Sequence, residues 1–581
     1  YERRSPRHRR KRPATDGSPN PSLGRESHGA EPIDERPHPR IPRAPPLEEP
    51  AMPFHTPSLR SILASLALVL ASIALAQSAG GTLVFAGNQE PASIDPSLMT
   101  GNVNERQVAG QIFETLVYID QDQVIHPGLA TAWTASEDKR VWTFDIVEGA
   151  SFHNGDALDA AAVAAQFEFV RTNDDLLGGT WSSVKSALES TVVNDAGQVV
   201  VTLSRSLPDL LIDLANPGFG ISNIAYIEEV GADAGFEPIG SGPFMFDTWV
   251  TGSHIDLVRN PDWTWGSQAM FGTTGPAPLD GIRFRFIPEA QTRLATLETG
   301  ETDFIDLVPF ADVQRMRDNP AYSITGLLLP GMPQMNYMHT QLTPTNDLRV
   351  RQAINHAIDK QAIADTVYFG LVEPAYGPLS AAFPEYDPSL ESLYPYDPER
   401  ATALLEEAGW VDANGDGIRE RDGETLSVTI VENKSWNDWV YIMQGYLQAV
   451  GFDATVLTTQ GPSNTAAIAS GEHALPSMGD VFATASAMRR DWHSEGYGSF
   501  PSGHFWTEPE LDALLEAAEV ETNTDRRTEL FQEIQRYIMD NALMVPIFEL
   551  YFYAAHDNAL QDFAVDGTGY YKYFAGASFG E

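Results

Sequence analysis

The chain has 581 residues, 37 Lys and Arg against 80 Asp and Glu, 43% hydrophobic residues and no cysteine. Without cysteine, disulfides, thiolate metal sites, thiol nucleophiles and lipid attachment at an N-terminal cysteine are all excluded. The formal charge of −43 repels nucleic acid and anionic lipid, and the apolar content suffices for large cores in more than one domain.

Residues 1–51 hold eleven prolines, no methionine and the run RRSPRHRRKRP. That composition cannot bury enough apolar area to fold, so the segment reads as a disordered or mis-assigned extension. From Met52 the pattern changes to MPFHTPSLR, with Arg60, then SILASLALVLASIALA, ending in the small-residue site Ala74-Leu75-Ala76. This is the layout of a secretory signal peptide over 52–76, its apolar run short and serine-interrupted for a permanent span. Export predicts a mature start near Gln77. Residues 1–76 contain 12 of the 37 bases and 8 of the 80 acids, which leaves 25 against 72, a charge of −47 on the exported part.

Past the leader, GGTLVFAG has strand composition, and VWTFDIVEGASF alternates apolar and polar residues up to the turn HNGD. ALDAAAVAAQFEFV predicts a helix with Asp159 near its start; VVVTLS, IDLVRN and GIRFRFIP predict further strands. In DLRVRQAINHAIDKQAI the apolar residues Val350, Ala353, Ile354, Ala357 and Ile358 share one helical face, with Asp347 as N-cap. Arg349, Arg351 and Lys360 lie off that face and read as a solvated or salt-bridged side of one helix. YDPERATALLEEAGW brings its own punctuation: Asp397 as cap, Pro398 in the first turn, Gly409 as stop. The long helical pattern from Leu511 to Asp540 breaks near Thr522–Asp525. Helices and strands alternate throughout, which makes the class mixed α/β.

Among motifs of secreted enzymes, no nucleophile elbow of the G-x-S-x-G type is expected, and H-E-x-x-H, G-x-x-x-x-G-K-[ST] and G-x-G-x-x-G are absent. His493 and His504 form the one suggestive histidine pair, too little for a metal site. Residues 412–424, DANGDGIRERDGE, begin like a calcium loop with Asp412, Asn414, Asp416 and Gly417, but Gly423 stands where a bidentate Glu is required. A tight acidic turn is the alternative.

The segments EPASIDPSL, IFETLVYID, PGLATAWTASED, VWTFDI, SFHNGDALDA, IGSGPF, LVRNPDWTWG, TRLATLETGETDFID, NDLRVRQAINHAIDKQAI and YDPERATALLEEAGW occur in an order that resembles the family 5 extracellular solute-binding proteins of ABC importers. The resemblance covers about residues 81–565. It implies a two-lobed α/β clamp like the periplasmic binding proteins, with an extra subdomain in the first lobe. Lobe I would be 77–330 with the insertion at about 120–235, lobe II 331–546, and 547–581 a return to lobe I. It also implies a non-enzymatic, monomeric protein without cofactor or metal. Periplasmic or secreted, such a protein presents a small ligand to ABC permease subunits in the membrane and has no nucleic-acid partner. An oligopeptide is the expected ligand and an oligosaccharide its alternative; a secreted hydrolase or a chaperone would be alternatives of another class.

By that resemblance Thr100, in DPSLMTGN, stands where peptide-binding members touch their ligand. The acidic run that holds a peptide's α-amine is missing from MGDVFATASAMRRDWHSEG, so Asp491 would replace it, with Arg490 for a carboxylate and Trp492 for packing or stacking. Trp436 and Trp439 would line the cleft, as in sugar-binding members, or else pack in the core.

Overall fold

The computed structural model describes residues 80–173, 178–433, 438–499 and 502–580. The arginine-rich prefix, the leader at 52–76 and Trp436 fall outside them. Two main sheets organise the body. The first has seven strands in the order Tyr322–Leu328, Tyr551–Asp557, Phe304–Ile305, Thr82–Gly87, Gly281–Phe286, His254–Arg259, Phe244–Val250. Thr82–Gly87 runs parallel to both of its neighbours, and its inward residues Leu83 and Phe85 pack with Ile282, Phe284, Phe304 and Phe574. The second sheet has five strands in the order Asp453–Thr459, Ser427–Asn433, Leu475–Val481, Gly331–Tyr337, Met544–Phe548. A separate antiparallel four-stranded sheet, Ala130–Ala135, Val141–Ile146, Val199–Leu203 and Leu188–Val193, has its own core around Trp142, Phe144, Phe167 and Trp181.

The outcome is a two-lobed α/β clamp with a subdomain inserted in the first lobe. The chain leaves the first sheet after Leu328, enters the second at Gly331, and returns between Phe548 and Tyr551. These two crossings touch, the Leu329 N–H donating to the Leu550 carbonyl at 2.9 Å. Gly331 has φ +148, and a Cβ there would lie 2.0 Å from the Asp480 carbonyl oxygen. A bare backbone is therefore required where the chain enters the second sheet.

Two of the quoted sequence blocks turn out to be each other's partners. Glu114 of IFETL is buried and accepts the indole N–H of Trp263 at 3.1 Å and that of Trp265, both from NPDWTWG. Burial pushes its carboxyl up to about 8, against those hydrogen bonds. Asp95 of SIDPSL, likewise buried, accepts from Ser222 Oγ at 2.7 Å and from the Ser97 N–H at 2.9 Å.

The helix predicted from Asp347 spans Leu348–Ala357, capped by Asp347 and buried along Val350, Ala353, Ile354 and Ala357. The three bases do not share it. Lys360 opens a second helix, Lys360–Tyr368, after the chain turns extended at Ile358. Of the three, Arg349 alone is exposed, paired with Asp347. Arg351 is 7% exposed and donates to the carbonyls of Thr345 (3.0 Å), Asn541 (2.9 Å) and Ala542 (3.1 Å), which ties this helix to the end of helix Thr524–Asp540. Lys360 is buried over the Tyr376 ring and donates to the Ala375 carbonyl at 3.1 Å. A solvated basic face is therefore corrected to two buried backbone anchors and one surface pair. The other predicted helices hold: Ala160–Thr172 begins at Asp159, Pro398–Glu407 at Asp397, and the long pattern divides into Pro509–Val520 and Thr524–Asp540.

Candidate functional site

Where the lobes face each other lies a cavity of about 420 Å³, open to solvent on one side. The first lobe and its insertion contribute Ile119, Gln123, Ile212, Leu327 and the backbone of Gly567–Gly569, and the second contributes Phe383, Pro384, Glu385 and Thr484. Asp209 from the insertion and Arg527 from helix Thr524–Asp540 meet in its wall as an ion pair, each side chain 12% exposed. Glu385 is half-buried, and burial raises its carboxyl while Arg527 draws it down. The volume lies in the range of small-molecule pockets, which are mainly apolar with a few placed polar groups.

A second polar cluster stands nearby. On the first lobe, Arg106 Nη1 donates to the Tyr571 hydroxyl at 3.4 Å, and its Nε finds no acceptor among the described residues. Across the cleft, Asp480 ends strand Leu475–Val481 and pairs with Arg490. Burial raises the Tyr571 phenol, Arg106 lowers it, and the charges of Asp566 and Asp480 raise it.

The structure places the predicted site residues as follows. Thr100 is exposed, and its hydroxyl donates at 3.0 Å to Glu105 of the capping box of helix Val103–Ile112; it is not among the residues that line the cavity. Arg490 and Asp491 do adjoin, but as partners: Arg490 donates to both Asp491 oxygens, at 2.8 and 2.9 Å. Asp491 is fully buried, and burial pushes its carboxyl up to about 6 against the pull of Arg490. It is committed to Arg490 and offers a ligand amine nothing, which corrects the sequence expectation. Asp480, with 31% of its side chain exposed, is the accessible carboxylate of this group.

Both described tryptophans of the prediction are core residues. Trp492 is 1% exposed, stacked on Trp506 at 5.6 Å and edge-on to Tyr337 at 5.2 Å. Trp439 is 0% exposed among Val440, Met443 and Phe548. A ring enclosed on every side cannot stack on a ligand, so neither lines the cleft.

Other candidate motifs resolve locally. In the calcium-like turn, Asp412 accepts from the N–H groups of Gly415 and Gly417, and Asp416 from that of Ile418, so these oxygens serve the turn itself. His504 stacks on Trp506 at 4.3 Å and bonds the His493 carbonyl, while His493 faces Glu516. Among the described residues no three His, Cys, Asp or Glu side chains converge to hold a metal ion. Gly576-Ala577-Ser578-Phe579-Gly580 has the G-x-S-x-G spacing, yet Ser578 lies on a two-residue strand paired with Leu560–Gln561 instead of at a strand-to-helix elbow. Sequence reasoning missed Asp209, Arg527, Glu385, Arg106 and Asp480. Only Asp480 carried a signal, a Gly-Asp pair closing an apolar strand.

Residues 124–492 match the family model described as bacterial extracellular solute-binding proteins, family 5 Middle. The chain belongs to this family. Among curated relatives, the nickel-binding periplasmic protein of Escherichia coli K12 is 28% identical over 472 residues, 78% of this chain and 86% of that protein. The glutathione-binding protein GsiB of Salmonella paratyphi A is 27% identical over 471 residues, with the same coverage. Of solved structures, NikA from Brucella suis with Fe(III)-EDTA superposes with a TM-score of 0.75 at 25% identity, over 86% of this chain and 100% of that one. DppA from Helicobacter pylori with the peptide STSA gives 0.72 at 23% identity, over 86% and 98%. As a family 5 member the chain is a solute-binding protein that delivers a small ligand to an ABC importer. Among its described residues no helix is long and apolar enough to cross a membrane.

Proposed function

We propose that this protein captures a short peptide in the interlobe cavity and presents it to ABC permease subunits, acting as an exported, non-enzymatic monomer. The observation that carries the reading is the cavity itself: apolar side chains of both lobes surround it, and the carboxyl of Glu385 stands in its wall beside the paired Asp209 and Arg527. A peptide offers apolar side chains to such a wall and an α-amine to its carboxylate. Against the oligosaccharide alternative stands the burial of Trp439 and Trp492, two of the rings on which a sugar would stack. Lobe I would comprise 77–330 and 547–581, and lobe II 331–546; strand Met544–Phe548 of the second sheet runs two residues past that second boundary. Closure about the adjacent crossings would bring both walls onto the ligand.

A thermal-shift screen tests this, since ligand at 100 times its dissociation constant stabilises by about 2.7 kcal/mol. Peptides of two to five residues are run against oligosaccharides, glutathione and nickel chelates. A raised midpoint with peptides is expected; a rise with sugars or chelates alone overturns the peptide reading. N-terminal sequencing of exported protein tests the start near Gln77.

A further inference from the structure

The two crossings are single strands, so the relative position of the lobes depends on what else joins them. Two charge clusters do so. In the first, Arg527 donates to Asp209 Oδ2 and, at 2.6 Å, to Ser486 Oγ, while Ser486 Oγ donates to the same Asp209 oxygen at 2.8 Å. In the second, Arg205 Nη1 donates to Glu519 Oε1 at 2.7 Å, and Arg489 Nε lies 3.3 Å from Glu519 Oε2. Arg205 and Asp209 belong to the inserted subdomain, beside its helix Leu210–Ala215. Ser486, Arg489, Glu519 and Arg527 belong to the second lobe.

Among the described residues both partners of the Asp209 carboxylate come from the opposite lobe, so opening strips it of Arg527 and Ser486 together. Arg527 keeps its 2.6 Å bond to Ser486 Oγ and a 3.3 Å bond to the Ala518 carbonyl on its own side. The Asp209–Arg527 pair is shielded, with both side chains 12% exposed, and it lines the cavity. We propose that Asp209, Arg527 and Ser486, reinforced by Arg205 and Glu519, form an interlobe clasp that holds the empty clamp closed over its ligand cavity. Capture then proceeds by opening against the clasp, and the empty protein's open population is set by ionic strength.

The chain has no cysteine, so two introduced ones take spin labels without background. Val192→Cys in the inserted sheet and Tyr441→Cys on the second lobe are 54% and 52% exposed in the native chain, and neither is a clasp residue. The full chain is stripped of carried ligand by denaturation and refolding, and the label separation is measured by pulsed electron resonance at low salt and in 1 M NaCl, where the Debye length is about 3 Å. A single short separation is expected at low salt. A longer one should grow about fivefold or more in high salt, and at low salt in Asp209→Asn or Arg527→Gln, the effect of losing about 1 kcal/mol. The exchanged pair Asp209→Arg with Arg527→Asp should restore the short separation. Unfolding of a variant leaves the salt titration of the unsubstituted clasp as the deciding measurement. A separation unchanged by salt, or a broad open distribution at low salt, overturns the clasp; as no ligand is used, either result leaves the peptide reading untouched.

Discussion

Replacing Arg351 by methionine keeps the length and apolar stem of a side chain that is 7% exposed and removes its guanidinium. That group donates to the carbonyls of Thr345, Asn541 and Ala542, the last two just beyond helix Thr524–Asp540. Hydrogen bonds to a charged group contribute about 1.5–3 kcal/mol each, and here the carbonyls would be left in a buried place. Each buried carbonyl left without a donor costs about 1–3 kcal/mol, so the expected loss over the three is about 3 kcal/mol or more. At roughly 2–4 °C per kcal/mol for a lobe of this size, the second lobe should melt roughly 10 °C lower, read by calorimetry. Arg351→Lys should recover little, because a single ammonium cannot span three carbonyls as a planar fork does. Two positions earlier, Arg349 has 45% of its side chain exposed in its pair with Asp347, and Arg349→Met should cost about 1 kcal/mol or less. Equal losses at the two positions, or a loss at Arg351 below 1 kcal/mol, would refute the argument that burial separates an anchor from a surface pair.

Burial raises several carboxyls, to about 7 in Asp95, Glu432 and Glu549 and to about 8 in Glu114. In the window between their ordinary values and these, the folded chain binds more protons than the unfolded one, so stability falls as pH rises. The melting temperature should be higher at pH 5 than at pH 8, and Glu432→Gln should narrow the difference by stabilising at pH 8 alone; a midpoint that climbs with pH sinks the account. Lys360 has the opposite sign: burial lowers it from 10.5 to about 7, so its folded form resists a charge that the unfolded chain keeps. Below pH 7 it is charged in both states and carries the whole burial cost, which disappears as pH rises toward 10.5. Lys360→Met should therefore stabilise by up to about 4 kcal/mol at pH 7, with the gain shrinking toward pH 10, as denaturant titrations at the two pH values would show.

What the sequence by itself determined was local and repetitive. Asp159, Asp347 and Asp397 announced helix starts because a cap acts on backbone two or three residues away, and the alternation in VWTFDI and the apolar run in GIRFRFIP marked strands that the fold contains. The order of its blocks pointed to the family and the two-lobed fold. Only the tertiary structure decided the site. Asp209 and Arg527 meet across 318 residues of chain, and Arg205 and Glu519 across 314, distances at which no periodicity or cap couples one residue to another. Burial was equally hidden: Trp492 and Asp491 follow two arginines in RRDW and look like a surface, yet Trp492 is enclosed by Tyr337 and Trp506 and Asp491 by its own neighbour's guanidinium. A residue's type states which interactions it can make; which ones it does make depends on what the rest of the chain packs against it.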